Sequence, residues 1–489
     1  MSVEGMAAGG ARRRGVRFAA MALLALCWSA PAMAFPGAPE DPLRARPPLL
    51  DSAPVLPGDE APVPCPPRVD LEKPLSLGDA VDLALCQSPR VEAAWAAIKV
   101  RAGALGEARS AYLPSLTASV GRLHTRTQHP DFPASDTSVA GWNAQVGLSW
   151  RILDFGGRKA NAEAANQLLL AALSSHDAAL QQALAAVAGA YFDAVAAQAA
   201  AGARSEAAQL AQDTLAATQR RQARGAAGQT DALQAATALA KARLAEQRAL
   251  GEERKAMAAL AVATGVPAGT LLALAPDADM PPAQAVAELA GWLAEAERRH
   301  PALRAARAQA DAARARVAAV RAEGLPALDW TFDYYRNGFP NQGLQPVRSS
   351  TRSVGLRLNI PIFDGFARTY RIHGAQAEVE QSEARERDTE HMILGEVAKA
   401  HADAVAAQES LASSEALLTA ADAALDSAQR RYAKGAGDIL ELLAAQAALS
   451  DARQERVRSQ AQWREARLRL MADTGILGRL AIARQTLPR

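Results

Sequence analysis

Four short segments of the chain alternate apolar and polar residues with period two. The clearest is WNAQVGLSWRI at 142–152, and LDWTFDYY (328–335) and SVGLRLNI (353–360) alternate in the same way, with LTASVGRLH (116–124) a weaker case. Because successive side chains of a strand point to opposite faces, this pattern predicts four strands with one apolar and one polar face each. The predicted strands cover about 116–124, 142–152, 328–336 and 352–360.

Long helical segments follow each pair of strands. From about 156 to 222, and from about 366 to 434, the chain contains no proline and is rich in Ala, Gln, Glu, Arg and Leu. A helix of that length spans about 100 Å. Apolar residues recur every seven positions, which is the spacing of a coiled-coil seam. The seam residues are Leu411, Leu418, Leu425 and Tyr432, then Leu442, Leu449, Trp463 and Leu470 on the returning helix, with Arg456 as the one polar member.

The second half of the chain repeats the first at an offset close to 210 residues. RILDFGGR (151–158) corresponds to PIFDGFAR (361–368), and RRQARG (220–225) corresponds to RRYAKG (430–435). Such agreement in order predicts a tandem duplication. The repeats cover 75–265 and 285–478, joined by a Pro/Gly-rich linker at 266–284, and Asp154 and Asp364, where strand gives way to helix, are predicted N-caps.

Residues 1–34 read as a secretory signal peptide. Four arginines precede the apolar stretch FAAMALLALCWSA, and AMA at 32–34 supplies a cleavage site after Ala34. Removing this segment takes away four Arg and one Glu, so the formal net charge changes from +2 to −1. That balance argues against a nucleic-acid partner. A Pro-rich N-terminal arm follows at 35–74, and 479–489 form a C-terminal tail.

Two cysteines, Cys65 and Cys86, remain after the signal peptide is removed. An exported chain enters a compartment that permits disulfides. A Cys65–Cys86 bridge would tie the Pro-rich arm to the first helix, and two buried free thiols are the alternative.

The chain lacks the motifs that catalysis requires. Its seven histidines form no HExxH motif and no i,i+4 pair, so no metal site is expected. There is no GxSxG motif and no P-loop, so no enzyme and no cofactor are expected.

The context of the strands favours an outer-membrane location over a soluble sheet. The chain is exported, and no transmembrane helix is expected after the signal. Trp142 and Trp150 lie eight residues apart, about 26 Å along a strand, close to the ~25 Å apolar band of membrane barrels. Trp150 and Trp330 would mark one membrane interface, and Trp142 and Tyr334 the other, unless these aromatic residues pack on neighbouring helices instead.

Four strands cannot close a barrel, and an open edge in lipid leaves backbone groups unsatisfied. Three copies would supply twelve strands, which is within the range of membrane barrels. A homotrimer is therefore the preferred expectation.

The order of helix, strand pair and long helix hairpin, repeated once, resembles the TolC family of outer-membrane channel proteins. The motifs that carry the resemblance are YLPSL, LDFGGR with IFDGFAR, and RYAKGAGDILELLAAQAAL, and it covers about 75–478. It implies a mainly α-helical fold with a membrane β-sheet, in which a trimeric twelve-strand barrel is continued across the periplasm by an α-helical barrel. Within the family the chain is most similar to the outer-membrane components of type I secretion systems.

That resemblance implies an exit duct from the cell. The partners would be a periplasmic adaptor (membrane fusion protein) and an inner-membrane ABC transporter, and the cargo an exported protein, such as an RTX toxin of the adenylate cyclase-haemolysin kind. A small-molecule efflux channel is the alternative. A soluble periplasmic coiled-coil scaffold or adaptor is the alternative from another class.

The resemblance also implies a periplasmic tip where the channel closes. Asp231 and Glu441 would form carboxylate rings that attract cations, and Tyr432 matches a tyrosine that helps to hold the closed state. Asp231 could instead cap the returning helix. The chain departs from the family at Ala444 and Gly437, where an acid and an arginine are common, so Arg430, Arg431 or Lys434 could substitute in the lock. The turns there contain Gly225, Gly228, Gly435 and Gly437, which can take the positive φ that such turns need.

Overall fold

The computed structural model describes residues 40–51, 65, 73–128, 130–131, 137–267, 269–275, 286–338 and 349–478. The predicted signal peptide, most of the Pro-rich arm and the C-terminal tail therefore lie outside the described residues. The chain divides into two units, Met1–Ala45 and Arg46–Arg489. In the described part of the first unit, the Ala45 N–H donates to Asp41 Oδ1 at 2.9 Å. The second unit contains all the elements below.

The second unit consists of two copies of one series of elements. After a short 3₁₀ helix at Pro48–Asp51, the first copy contains α1 (Leu77–Gln87), α2 (Pro89–Ser110), β1 (Ser115–Thr127), β2 (Thr137–Leu153), α3 (Gly157–Ala223) and α4 (Gln229–Ala263). The second copy contains α5 (Leu289–Arg299), α6 (Pro301–Ala322), β3 (Ala327–Asn337), β4 (Ser349–Asn359), α7 (Ala367–Ala433) and α8 (Ile439–Asp473).

The helices of the two copies match in length. In each copy they contain 11, 22, 67 and 35 residues in that order. The strands differ, with 13 and 17 residues in the first copy and 11 and 11 in the second. The predicted tandem duplication is confirmed, and β1 and β2 are longer than their sequence patterns predicted.

The four strands form one antiparallel sheet in the order β1-β2-β3-β4. Leu116 lies opposite Leu148 in the first pair, and Trp150 lies opposite Trp330 where the two copies meet. A register shift between Arg151 and Leu153 marks the end of β2. The outer edges of β1 and β4 have no strand partner among the described residues.

The long helices pack side by side. Helix α3 contacts α1, α2, α4, α6 and α8, and α7 contacts α5, α6 and α8. Near the α7–α8 turn, the predicted seam forms a cluster that includes Leu425, Leu442 and Leu449, each buried. Arg456, the polar member of the seam, is half-buried. It donates to the Leu411 carbonyl at 2.9 Å and forms an ion pair with Glu415.

The largest apolar core joins the two copies near the ends of α4 and α8, far from those turns. It contains residues of α1, α3, α4 and α8, including Leu77, Leu184 and Leu468. The Gln181 side chain donates to the Leu477 carbonyl at 2.7 Å and thereby ties α3 to the end of the second copy. This core therefore joins helices from both copies.

Cys65 and Cys86 form a disulfide, with their Cα atoms 5.6 Å apart. The bond joins a residue of the Pro-rich arm to α1, across 21 residues of sequence.

Helix α3 contains a window that is apolar enough to cross a membrane, judged by length and composition alone. No such segment was expected after the signal peptide. A third of the window (33%) is buried within the chain, and α3 contacts five other helices.

Candidate functional site

One face of the sheet is apolar and open. The apolar residues of β1, β2 and β4 alternate along each strand, as the sequence predicted, and no other described element covers them. Val120 is 73% exposed, and Val354 and Leu356 are each 67% exposed. A monomeric soluble protein rarely leaves so continuous an apolar face in water. The exposed members are Leu116, Val120, Trp142, Trp150, Val354, Leu356 and Leu358.

The opposite face of the sheet is polar. Arg151 Nε lies 2.9 Å from Asp329 Oδ1 across the β2–β3 pair, and Arg357 lies opposite Asp329 in the β3–β4 register. Charged residues paired across neighbouring strands stabilise a sheet modestly. One apolar and one polar face is the arrangement of a barrel wall with lipid outside and water inside.

The aromatic residues lie at different levels of the sheet. Trp150 lies opposite Trp330, and its Nε1–H donates to the Tyr112 carbonyl at 2.9 Å. Tyr334 lies opposite Val146, four residues from Trp142. We expected Trp142 and Tyr334 at the same level of the sheet, and they are at different levels. The register shows why: β2 and β3 run antiparallel from the Trp150–Trp330 pair, and Tyr334 is only four residues beyond Trp330.

Matched carboxylates link strand to helix in both copies. The Arg158 N–H donates to Asp154 Oδ2 at 2.7 Å, and the Arg368 N–H donates to Asp364 Oδ2 at 2.9 Å. The helices themselves begin at Gly157 and Ala367. Their N-cap residues are therefore Gly156 and Phe366, and both have a left-handed backbone conformation. Both aspartates thus satisfy helix N–H groups from two residues before the N-cap, rather than from the N-cap itself.

The two long hairpins turn in the same way. Gly225 has φ +73° and Gly435 has φ +72°. The Ala226 N–H donates to the Arg221 carbonyl at 2.9 Å, and the Ala436 N–H donates to the Arg431 carbonyl at 3.0 Å. This pattern of a left-handed glycine and a bond back to the last turn is the Schellman motif.

The other two turn glycines do not need positive φ, contrary to expectation. Gly228 is extended, with φ −78°, and is the N-cap of α4. Gly437 also has no positive φ; there a Cβ atom would lie 3.0 Å from the Tyr432 backbone nitrogen. A side chain at position 437 would therefore require the end of α7 to shift by a few tenths of an ångström.

The two proposed pore carboxylates both have partners within the protomer. The Gly228 N–H donates to Asp231 Oδ2 at 3.2 Å, so Asp231 caps the returning helix. Glu441 lies 2.7 Å from Arg431 Nη1, across the second turn. The ion pair with Arg431 offsets the negative charge of Glu441, whereas the Gly228 N–H that Asp231 accepts carries no formal charge.

Tyr432 joins the ends of α3 and α7. Its hydroxyl lies 3.3 Å from Thr218 Oγ1, and Arg221 Nη1 donates to its carbonyl at 2.8 Å. The Arg221 guanidinium also lies over the Tyr432 ring, 4.6 Å from its centroid. Sequence reasoning missed Thr218 and the role of Arg221, although the Arg-Arg pair repeated before each turn was visible.

The described residues contain no group of three or more His, Cys, Asp or Glu side chains that could hold a metal ion.

A sheet with one lipid-compatible face, continued by two helix hairpins about 100 Å long, defines a protomer of an outer-membrane channel. The chain belongs to the outer membrane efflux protein family, whose model matches residues 80–266 and 292–476, once in each copy of the duplication. The family consists of transport channels of the outer membrane, so the chain is a channel protein and not an enzyme.

The comparisons agree on this family. The chain is 40% identical over 480 residues to the protein CyaE of Bordetella pertussis, covering 98% of both chains. Its fold is similar to that of the outer membrane protein VceC of Vibrio cholerae, with a TM-score of 0.69 and 21% identity over 82% of this chain and 96% of that one. It is also similar to the open state of the MtrE outer membrane channel of Neisseria gonorrhoeae, with a TM-score of 0.66 and 20% identity over 82% of this chain and 88% of that one.

Proposed function

We propose that three copies of this chain close one twelve-strand barrel in the outer membrane. Each protomer supplies four strands, and both outer edges of its sheet are unpaired among the described residues. An open edge in lipid leaves backbone N–H and C=O groups without partners, at a cost of several kcal/mol each. Pairing β4 of one copy with β1 of the next removes every edge. The open apolar face then contacts lipid, and the polar face lines the pore.

In this arrangement the aromatic residues of the sheet have a second role. Trp150 and Trp330 occupy the interface nearest the helices, because β2 leads into α3 only a few residues after Trp150. Trp142 lies eight residues further along and occupies the other interface, about 26 Å away. Tyr334 lies between the two levels and faces the acyl chains or the neighbouring strands.

We propose that the channel is the exit duct of a type I secretion system. The observation that supports this proposal most strongly is the 40% identity to CyaE over 98% of both chains. The solved channels of the family that share the fold are only about half as similar in sequence. An inner-membrane ABC transporter and a periplasmic adaptor supply the energy and the cargo. The cargo is an exported protein, for which an RTX toxin is the leading class.

The two hairpin turns form the periplasmic tip in this proposal. Asp231, Glu441 and Tyr432 lie at the constriction, with the turn glycines at its end. The Arg221–Tyr432 and Arg431–Glu441 contacts hold the helix ends together within each protomer. When the channel opens, either these contacts break, or each pair of helix ends moves together with its contact intact.

Deleting the gene in its own organism tests this function. We expect the secreted protein to disappear from the medium and to return when the gene is restored on a plasmid. Sensitivity to dyes and antibiotics should change little. The opposite pattern, with normal protein secretion and increased sensitivity to small toxic compounds, would show that the channel serves efflux.

A further inference from the structure

A basic motif precedes the turn in both copies of the duplication. RRQARG at 220–225 and RRYAKG at 430–435 place cations at three equivalent positions. The duplication has therefore kept a positive charge twice at each position, although the residues between them differ. The pairs are Arg220 with Arg430, Arg221 with Arg431, and Arg224 with Lys434.

The structure places these cations at the last turn of each long helix. Arg224 and Lys434 are the C-cap residues of α3 and α7, directly before the left-handed glycines. Arg220, Arg224 and Lys434 are exposed, and none has an ion-pair partner among the described residues. For three of the six basic side chains, no ion pair among the described residues gives the positive charge a role in stabilising the fold.

The carboxylates nearby are too few to balance these cations. Residues 220–231 and 430–441 contain six basic residues against three acidic ones, Asp231, Asp438 and Glu441. Asp426 also pairs with Arg430 from one helical turn above. Counting that carboxylate, each protomer retains a net charge of +2 at its turns, whereas the mature chain carries about −1 as a whole.

More distant acids do not cancel this charge. Asp213 and Asp422 are the next carboxylates along α3 and α7, seven and eight residues before the basic motifs. They lie about 10 to 12 Å away along the helix, which is more than one Debye length at physiological salt. The end of each hairpin is therefore a local excess of positive charge.

Cations in the last turn of a helix also interact favourably with the helix dipole. That effect accounts for one or two basic residues, but here each α3 or α7 end lies beside the start of α4 or α8, whose dipole has the opposite sign. The dipole does not account for three exposed cations that lack partners.

We propose that these residues form a basic collar which makes the inner mouth of the channel prefer anions and receive acidic segments of the exported polypeptide. The basic collar is defined as Arg220, Arg221, Arg224, Arg430, Arg431 and Lys434. The proposal rests on the function proposed above, which puts the turns at the mouth and brings three copies together. Three copies carry three times the +2 of one protomer, about +6, around one opening. Rings of Arg and Lys select anions, and the expected sign is opposite to that of a ring made by Asp231 and Glu441.

The sign of the ion selectivity is the first test. Full-length mature protein is inserted in planar bilayers, and the reversal potential is measured in a KCl gradient of about 150 to 500 mM, where the Debye length is about 8 Å or less and Asp213 and Asp422 stay screened from the mouth. We expect a reversal potential whose sign shows that chloride permeates more readily than potassium. Replacing the three unpartnered cations, Arg220→Gln, Arg224→Gln and Lys434→Gln, should lower the chloride-to-potassium permeability ratio by about twofold or more.

A matched control removes the same charge elsewhere. Arg248→Gln, Arg254→Gln and Lys399→Gln replace three exposed cations that lie at least about 28 Å from the turns along their helices. This variant should keep the wild-type reversal potential. An equal shift in both variants would show that total charge, and not the basic collar, sets the selectivity.

The second test first compares a polymer of each charge on the unmodified channel, and this comparison does not depend on how any variant folds. Poly-L-glutamate and poly-L-lysine of equal length are added to the side that carries the turns. We expect poly-L-glutamate to block the current at the lower concentration, and the collar variant to lose that preference. Potassium-selective channels, or stronger block by poly-L-lysine, would overturn the basic collar while leaving the channel function intact. If no channels form, the proposed function fails and this inference fails with it.

Discussion

At the scale of single residues, Asp231, Glu441 and Tyr432 near the turns each have a partner within the protomer that the family resemblance did not predict. Asp231 bonds its own helix start, and Glu441 pairs with Arg431. Tyr432 is held from the other copy of the duplication by Thr218 and Arg221. Within one protomer, the contact beside the turns is therefore between α3 and α7, and we expect it to act as the lock of the proposed tip.

Arg221→Ala should weaken this lock. It removes both the bond to the Tyr432 carbonyl and the contact with its ring, so the tip should open more readily and single-channel conductance in planar bilayers should increase. Arg220→Ala is the control, because it removes the same charge from the adjacent position, which has no ion-pair partner among the described residues. Equal conductance in the two variants would contradict a role for the Arg221–Tyr432 contact.

Burial affects the protonation of Glu465 on α8. It raises the pKa of this carboxyl, and Asp193 on α3 raises it further, while Arg469 opposes the shift. A pKa raised in the folded state means that the charged form costs stability above that pKa, and that the cost disappears as the pH falls toward the unfolded value. Glu465→Gln should therefore raise the melting temperature at about pH 7.5 and have little effect at about pH 3.5.

Thermal unfolding followed by circular dichroism at both pH values measures this effect. Exposed Glu455→Gln on the same helix serves as the control. A lower melting temperature for Glu465→Gln at neutral pH would mean that its charge is stabilising, which would contradict the expected cost of burying it.

At the scale of elements, the duplication predicts how neighbouring copies pair. The repeat maps β2 onto β4 and β3 onto β1, so the β2–β3 contact inside one chain should recur between chains as β4–β1. Ser149 lies opposite Thr331 within the chain. The corresponding offsets place Asn359 of one copy opposite Ser119 of the next.

Cysteines at these two positions should cross-link neighbouring copies. In Ser119→Cys with Asn359→Cys, oxidation should give a covalent trimer on a non-reducing gel, and the native Cys65–Cys86 bond does not compete because both thiols are already used. Ser119→Cys with Ser353→Cys is the control, since Ser353 lies six residues further along β4. Efficient cross-linking of the control alone would show a different register between copies.

The elements with a strong period could be predicted from the sequence, and the contacts between them could not. The period-two pattern located all four strands, and the repeat motifs gave the duplication that the equal helix lengths confirm. The extra length of β1 and β2 was missed because their loop-proximal residues, such as Thr127, are polar and do not alternate. The Tyr432 partners were missed because Thr218 and Tyr432 are 214 residues apart, and nothing local marks that contact.

At the scale of the whole molecule, one protomer is incomplete. Its sheet has two open edges and an uncovered apolar face, while its helices already have a shared core. We expect the strands to reach a stable state only with lipid on one face and further copies at both edges. Insertion and assembly are therefore expected to occur together.

Electron cryo-microscopy of the full-length mature protein in lipid nanodiscs tests this central claim most directly. We predict a threefold-symmetric particle with twelve strands closed inside the disc, the Val120 and Val354 face toward lipid, and the helix hairpins extending from one side. A particle with a single copy, or with the four-strand sheet folded outside the disc, would contradict the account.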